Sequence, residues 1–267
     1  MRCARALAFN FAFFGWTAIL GTIGLPFLAA PRAAAMRFGR FWASSVLALL
    51  RVIVGLDHQV RGLDRIPHGG CIIAMKHQSA WDALILPVVL GDFAPVVKRE
   101  LLLVPFYGWY AARAGSIAID RKAAAGAVRR MIAAARQIAS SGRPIVIFPE
   151  GTRVAPGERR PYQPGVAALY QALSLPVVPA AVNSGLFWGR RSFVKRPGQI
   201  VLEFLEPIPP GRPRLQLMAE LEQRIETATA ALIREGKALN RPGLLAGENS
   251  QSRRSHSLQP MARRRKL

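Results

Sequence analysis

From Ala6 to Pro31 the chain carries no charged side chain, and Arg2, Arg5, Arg32, Arg37 and Arg40 flank the run. A helix of about 20 apolar residues crosses a bilayer, so the segment is long enough to do so. The "AAPRAAA" at its end contains the Ala-x-Ala of a leader cleavage site. A leader's apolar region is usually shorter, about 7 to 15 residues, which favours a retained anchor. A second apolar stretch, 41–56, is interrupted by Arg51. It reads as an interfacial helix, or as the return arm of a hairpin broken near Gly24-Leu25-Pro26. Positive charge on both sides leaves the orientation open. The basic residues downstream favour a cytoplasmic catalytic face.

After Gly55 short β-branched runs alternate with helical patterns. "GCIIAMK" (70–76), "APVVK" (94–98), "SIAID" (116–120), "PIVIF" (144–148), "PVVPAAV" (176–182) and "QIVLEFL" (199–205) read as strands. Several are almost continuously apolar, as strands covered on both faces must be. In 122–141, Val128, Met131, Ile132, Ala135 and Ile138 recur at helical spacing, and Gly142 and Pro144 close that helix. A last helix is expected over 214–235, with Leu217, Leu221, Ile225, Ala228 and Leu232 on one face. The alternation predicts an α/β fold with a mixed, largely parallel sheet flanked by helices. Three units are expected: an N-terminal membrane-associated helical segment (1–55), a catalytic domain (56–235) and a basic, disordered tail (236–267). The tail lacks aromatics and apolar periodicity, and its basic cluster suits a tether to an anionic surface.

Composition narrows the partners. The 267 residues carry a formal charge of +22, yet 51% are hydrophobic. Basic and apolar together point to an anionic membrane surface, or to anionic substrates within one, and make nucleic acid the weaker choice. Two cysteines, Cys3 and Cys71, provide neither a disulfide framework nor a metal-ligand cluster.

The candidate chemistry starts at "MKHQSAWDAL" (75–84), where a strand ends on Lys76-His77. Ser79 and Asp82 fit a capping box that opens a helix. His77 then lies in the turn outside the strand's carboxyl end, where open α/β sheets bind ligands. Asp82, in the first helical turn, is placed to fix the imidazole's tautomer and stabilise its protonated form. A second strand runs into "FPEGTR" (148–153), in which Gly151 backbone, the Thr152 hydroxyl and the Arg153 guanidinium all suit a phosphate. Lys98 and Arg121 follow two further strands, so His77, Lys98, Arg121 and Arg153 converge on one sheet edge if the strands are parallel. His58 and His68 fall in connections, and His256 in the tail. The "WGRRSFVKRPG" run (188–198) reads as a membrane-facing loop, with donor binding and a plain basic connection as alternatives. "LLLVPFYGWY" (101–110) suits an acyl-chain groove or core packing equally.

The chain resembles the 1-acylglycerol-3-phosphate (lysophosphatidic acid) acyltransferases of the wider glycerolipid acyltransferase family, over about 56–210. Four blocks stand in the family's order: His77-x4-Asp82, Gly115 to Arg121, Phe148 to Arg153, and Val177-Val178-Pro179. The resemblance implies the glycerolipid acyltransferase fold and a direct transfer. His77 would act as general base on the free hydroxyl of a lysophospholipid, Asp82 would orient it, and an acyl-CoA or acyl carrier protein thioester would serve as co-substrate. Glu150, Gly151, Thr152 and Arg153 are carried over as acceptor-binding residues, with Lys98 and Arg121 as phosphate contacts by position. No metal or prosthetic group is implied. Lys76 stands where many members carry Asn. That departure keeps open another acceptor, such as a lyso-ornithine lipid, and beside it stands a third reading, a catalytically silent membrane-binding protein.

Overall fold

A computed structural model describes residues 2–120 and 124–239. In chain order the elements are α1 (Arg2–Ile23), α2 (Pro26–Ala29), α3 (Arg32–Leu49), β1 (Leu56–Arg61), β2 (Ile72–Met75), α4 (Trp81–Leu90), β3 (Ala94–Lys98) and α5 (Tyr107–Arg113). Then follow β4 (Ile117–Ile119), α6 (Ala124–Ala139), β5 (Ile145–Ile147), α7 (Gly165–Leu173), β6 (Val177–Val182), β7 (Gly198–Phe204) and α8 (Arg214–Leu239). The seven strands form one sheet in the order β1-β7-β6-β2-β5-β3-β4. β6, β2, β5, β3 and β4 run parallel, β7 is antiparallel to β6, and β1 is parallel to β7.

The apolar runs become interior strands because both faces of the sheet are covered. On β2, Ile73 and Met75 pack into one core with Val178 and Ala180 of β6, against α1, α3 and α4. Ile72 and Ala74 face the other core, with Met131 and Ala135 of α6, Val166 of α7 and Leu221 of α8. Side chains alternate along a strand, so a strand covered twice must be apolar at every position. α4 is apolar nearly throughout for the same reason, with Trp81, Leu84, Ile85 and Leu86 buried.

β1 was not expected. Its sequence, "LDHQVR", is mostly half-buried and pairs only with β7 at the sheet edge, so it lacks the apolar run of an interior strand. His58 accordingly lies in a strand rather than a connection. Its ring sits 5.9 Å from that of Trp81, and burial holds the imidazole below its usual pKa although Asp57 pulls the other way. α8 continues to Leu239, past the end expected for the last helix, and residues 240–267 of the expected tail lie outside the described residues.

The N-terminal hairpin forms as a return arm. Trp16 Nε1 donates to Ser45 Oγ at 2.7 Å and Trp42 Nε1 to Thr17 Oγ1 at 3.2 Å, joining α1 to α3. Arg32 at the foot of α3 makes a two-point pair with Asp92, at 2.6 and 2.7 Å. Phe9, Val46, Leu47 and Leu50 belong to the same core as Ile73 and Met75, so the hairpin is packed onto the sheet. Full burial of a side chain such as Phe9 is worth about 1.5–3 kcal/mol. The outer face of α1 is also apolar: Phe11 is 83% and Phe14 67% exposed. Among the described residues one helix, Cys3–Ile23, is long and apolar enough to cross a membrane.

Candidate active site

The parallel strands bring the carboxyl ends of β2, β5, β3 and β6 to one edge of the sheet. The ladder of β2 extends to Lys76, whose N–H donates to Ala180 O at 2.9 Å, and the chain then leaves the sheet at His77. The 148–154 segment after β5 grips that turn from both sides. His77 N–H donates to Glu150 Oε2 at 2.9 Å, and Val154 N–H donates to His77 O at 2.8 Å. The His77 ring lies 4.0 Å from the Phe148 ring, nearly parallel at 20°. The imidazole is thereby fixed in position and plane, with its side chain 18% exposed.

Asp82 is fully buried and bonded on both oxygens. Its Oδ2 lies 2.9 Å from His77 Nδ1 and accepts the backbone N–H groups of Gln78 (2.6 Å) and Ser79 (2.8 Å). Ser184, just after β6, donates its hydroxyl to Oδ1 at 2.5 Å. Ser79 Oγ accepts from Trp81 N–H at 3.1 Å, so Ser79 and Asp82 bond the turn that opens α4, although the helix begins at Trp81 with Ala80, not Ser79, as its N-cap. A carboxylate crowded by donors is an acceptor, so His77 carries its ring proton on Nδ1. Nε2 is then the free lone pair, and the ring can accept a proton there while Asp82 stabilises the resulting imidazolium.

His77 opens onto a cavity of about 820 Å³. Lys98, Gly151, Thr152 and Arg153 line it, as do Arg190 and Arg191. Its apolar wall includes Phe13 of α1 and Trp42 of α3, so the N-terminal hairpin forms part of the site. Leu101, Val104 and Tyr107 of the 101–110 segment line it too. Arg121 lies outside the described residues.

One expected contact takes another place, and a second stays at the cavity with its own N–H engaged. Glu150 is absent from the cavity lining and buried behind His77, where Lys76 Nζ approaches its carboxylate at 2.7 Å. Gly151 lines the cavity, but its N–H donates to Phe148 O at 2.9 Å and closes a turn. Its φ of 66° is left-handed, which explains the glycine without a phosphate.

Lys76 is likewise internal, at 1% exposure. Its ammonium lies 2.7 Å from Glu150 and 2.7 Å from Glu226 of α8, and Tyr162 donates to the same Glu226 oxygen at 3.0 Å. Burial pushes the Glu150 carboxyl above the usual carboxylate range, opposed by Lys76 and reinforced by Glu226. The lysine's charge is thus engaged inside the protein, and the side chain does not line the cavity. Sequence reasoning missed Ser184, Phe148 and Glu226, the first and last because their partners lie far away in the chain. Among the described residues no group of three or more His, Cys, Asp or Glu side chains is placed to hold a metal ion.

Residues 57–183 match the family described as Acyltransferase. The chain is 36% identical over 202 residues to the 1-acyl-sn-glycerol-3-phosphate acyltransferase of Pseudomonas aeruginosa, covering 76% of this chain and 77% of that protein. It is 27% identical over 251 residues to human 1-acyl-sn-glycerol-3-phosphate acyltransferase alpha, covering 88% and 87%. The fold matches the crystal structure of the 1-acyl-sn-glycerophosphate (LPA) acyltransferase PlsC from Thermotoga maritima, with a TM-score of 0.73 at 20% identity. That match covers 87% of this chain and 98% of the other.

Proposed function

The chain belongs to the 1-acyl-sn-glycerol-3-phosphate acyltransferase family, and from that premise we propose the reaction it carries out and the role of each site residue. It transfers a fatty acyl group from a thioester to the free sn-2 hydroxyl of lysophosphatidic acid, giving phosphatidic acid for phospholipid synthesis. The observation that carries the reading is the His77–Asp82 pair, held 2.9 Å apart at the mouth of a cavity that also presents Lys98 and Arg153.

His77 Nε2 takes the proton of the acceptor hydroxyl as its oxygen attacks the thioester carbonyl. The new ester C–O bond forms, the C–S bond breaks, and the proton passes from the imidazolium to the departing thiolate. No enzyme nucleophile is needed. Ser79 is unsuited to be one, being buried with its hydroxyl oxygen accepting from Trp81 N–H. Lys98, Thr152 and Arg153 bind the acceptor's phosphate. Arg suits this role because its planar fork matches two phosphate oxygens. The thioester is that of coenzyme A or acyl carrier protein, and no metal or prosthetic group takes part. Leu101, Val104 and Tyr107 line the path of an acyl chain.

The protein works at a membrane. The apolar outer face of α1, with Phe11 and Phe14 outward, is suited to bury itself among lipids, and the excess of arginine favours the cytoplasmic face. A test is acyl transfer by the purified full chain in neutral detergent, with lysophosphatidic acid and lyso-ornithine lipid offered side by side and each thioester as donor. Preference for the phosphate acceptor by at least about tenfold is expected, since a site built for a polar group rejects analogues lacking it. Turnover of the ornithine lipid alone would move the enzyme to another acceptor.

A further inference from the structure

The sheet order places His77 between two pairs of cations. Lys98 ends β3 and Arg153 follows β5 on one side of β2, whereas Arg190 and Arg191 stand in the loop that leaves β6 on the other. All four line the same cavity as His77. The acceptor's phosphate occupies the first pair in the function proposed above, which leaves the second without a role.

The loop carrying the second pair is a built feature. Lys195 is buried, donating to Asn10 Oδ1 at 2.6 Å and to Phe193 O at 3.1 Å. Its ammonium also lies 5.1 Å from the Trp188 ring and 5.4 Å from that of Phe9, so the loop is fastened to α1. Arg196 N–H donates to Phe187 O at 2.9 Å, closing the loop on itself. Arg191 has φ of 56°, a left-handed conformation that non-glycine residues adopt only where the surroundings impose it. The loop's cations are therefore sorted. Lys195 faces inward as a fastener, while Arg190 and Arg191 stay exposed at the cavity without an ion pair among the described residues.

The reaction also brings a second substrate, the acyl donor, to His77. An acyl thioester of coenzyme A and one of acyl carrier protein share a 4′-phosphopantetheine arm, whose thioester must reach His77 while its phosphate remains outside. We propose that Arg190 and Arg191 form the phosphate subsite for this arm, so that acceptor and donor approach His77 from opposite flanks of β2. The assignment rests on the acyltransferase reading and adds the donor's place to it.

The test uses the full chain in neutral detergent micelles, comparing wild type with R190A/R191A and with R190K/R191K. Donors are a long-chain acyl-CoA and the matching S-acylpantetheine, which lacks phosphate; binding of a non-transferable thioether analogue of acyl-CoA is titrated directly. Loss of two phosphate contacts should lower the acyl-CoA to S-acylpantetheine ratio of kcat/KM by about tenfold or more and weaken the thioether analogue similarly. The KM for lysophosphatidic acid should stay within about twofold, and the lysine pair should fall between, since it keeps charge without the fork. An unchanged donor ratio, or a defect confined to acceptor KM, would overturn the subsite. A defect seen only on anionic vesicles and absent in neutral micelles would also overturn it and assign the arginines to lipid headgroups. If the wild type bound the analogue but used another lysolipid, the acceptor reading would fail while the titration still decided the donor site.

Discussion

Ser184 donates its hydroxyl to Oδ1 of Asp82 at 2.5 Å, so the loop after β6 helps hold the carboxylate that orients His77. A hydrogen bond to a charged group is worth about 1.5–3 kcal/mol, and its loss would let the carboxylate turn. If the whole of that is lost in the transition state, S184A should lower kcat about 10- to 150-fold with little change in either KM. Steady-state kinetics for S184A beside S184T checks this, because threonine retains a hydroxyl and should restore part of the rate. An S184A enzyme with wild-type kcat would show that the bond is structural only.

Lys76 pairs with two buried carboxyl groups at once, and its removal should be more damaging than the loss of either partner. K76M strands Glu150 and Glu226 together, whereas E226Q preserves the Lys76–Glu150 pair. Breaking a buried ion pair costs about 3–5 kcal/mol. Thermal unfolding should therefore rank wild type above E226Q and E226Q above K76M. The cost should depend on pH. Burial already raises the Glu150 carboxyl, and removing Lys76 takes away the opposing influence. A carboxyl raised on folding contributes its stability below its unfolded pKa and loses it as pH rises through the folded one. The deficit of K76M should thus be smaller at about pH 5 than at about pH 8. A deficit independent of pH would contradict this account of Glu150.

Cys71 provides an independent check on packing. It is fully buried beside β2, and burial pushes its thiol up to about 12. At pH 8 only about one molecule in ten thousand would be thiolate, which is the reactive form. In a C3S variant, which removes the exposed thiol, alkylation of Cys71 should proceed only at the rate of unfolding. Labelling at the rate of a free thiol in the native protein would show that the chain entering β2 is open.

The two halves of the "EGTR" block should separate kinetically. R153A should raise the acceptor KM about tenfold or more, as loss of a bidentate phosphate contact would. E150A should instead lower stability and kcat, because Glu150 holds Lys76 and the His77 backbone and does not face the cavity. Kinetics at varied lysophosphatidic acid, with thermal unfolding of both variants, distinguishes the two. Selective loss of acceptor affinity in E150A would restore it as a substrate contact.

The sequence reveals what is local. Interior strands announce themselves because both faces are covered, whereas β1, an edge strand reading "LDHQVR", has no such run. His77 and Asp82 are visible because a strand-to-helix turn brings residues five apart together. Ser184 lies 102 positions from Asp82 and Glu226 lies 150 from Lys76, and no spacing links them. The "FPEGTR" block locates a site but not the direction of each side chain. Phe148 stacks on the imidazole, Glu150 turns inward, and Gly151 spends its N–H on the turn.

The most direct measurement is phosphatidic acid formation from lysophosphatidic acid and acyl-CoA by H77A beside the wild type, with unfolding and acceptor binding followed in the same preparations. General-base catalysis by the imidazole contributes about 10²–10⁴-fold, so kcat should fall by at least about a hundredfold while fold and acceptor affinity persist. Wild-type turnover by a folded H77A would contradict the role of His77 as the base.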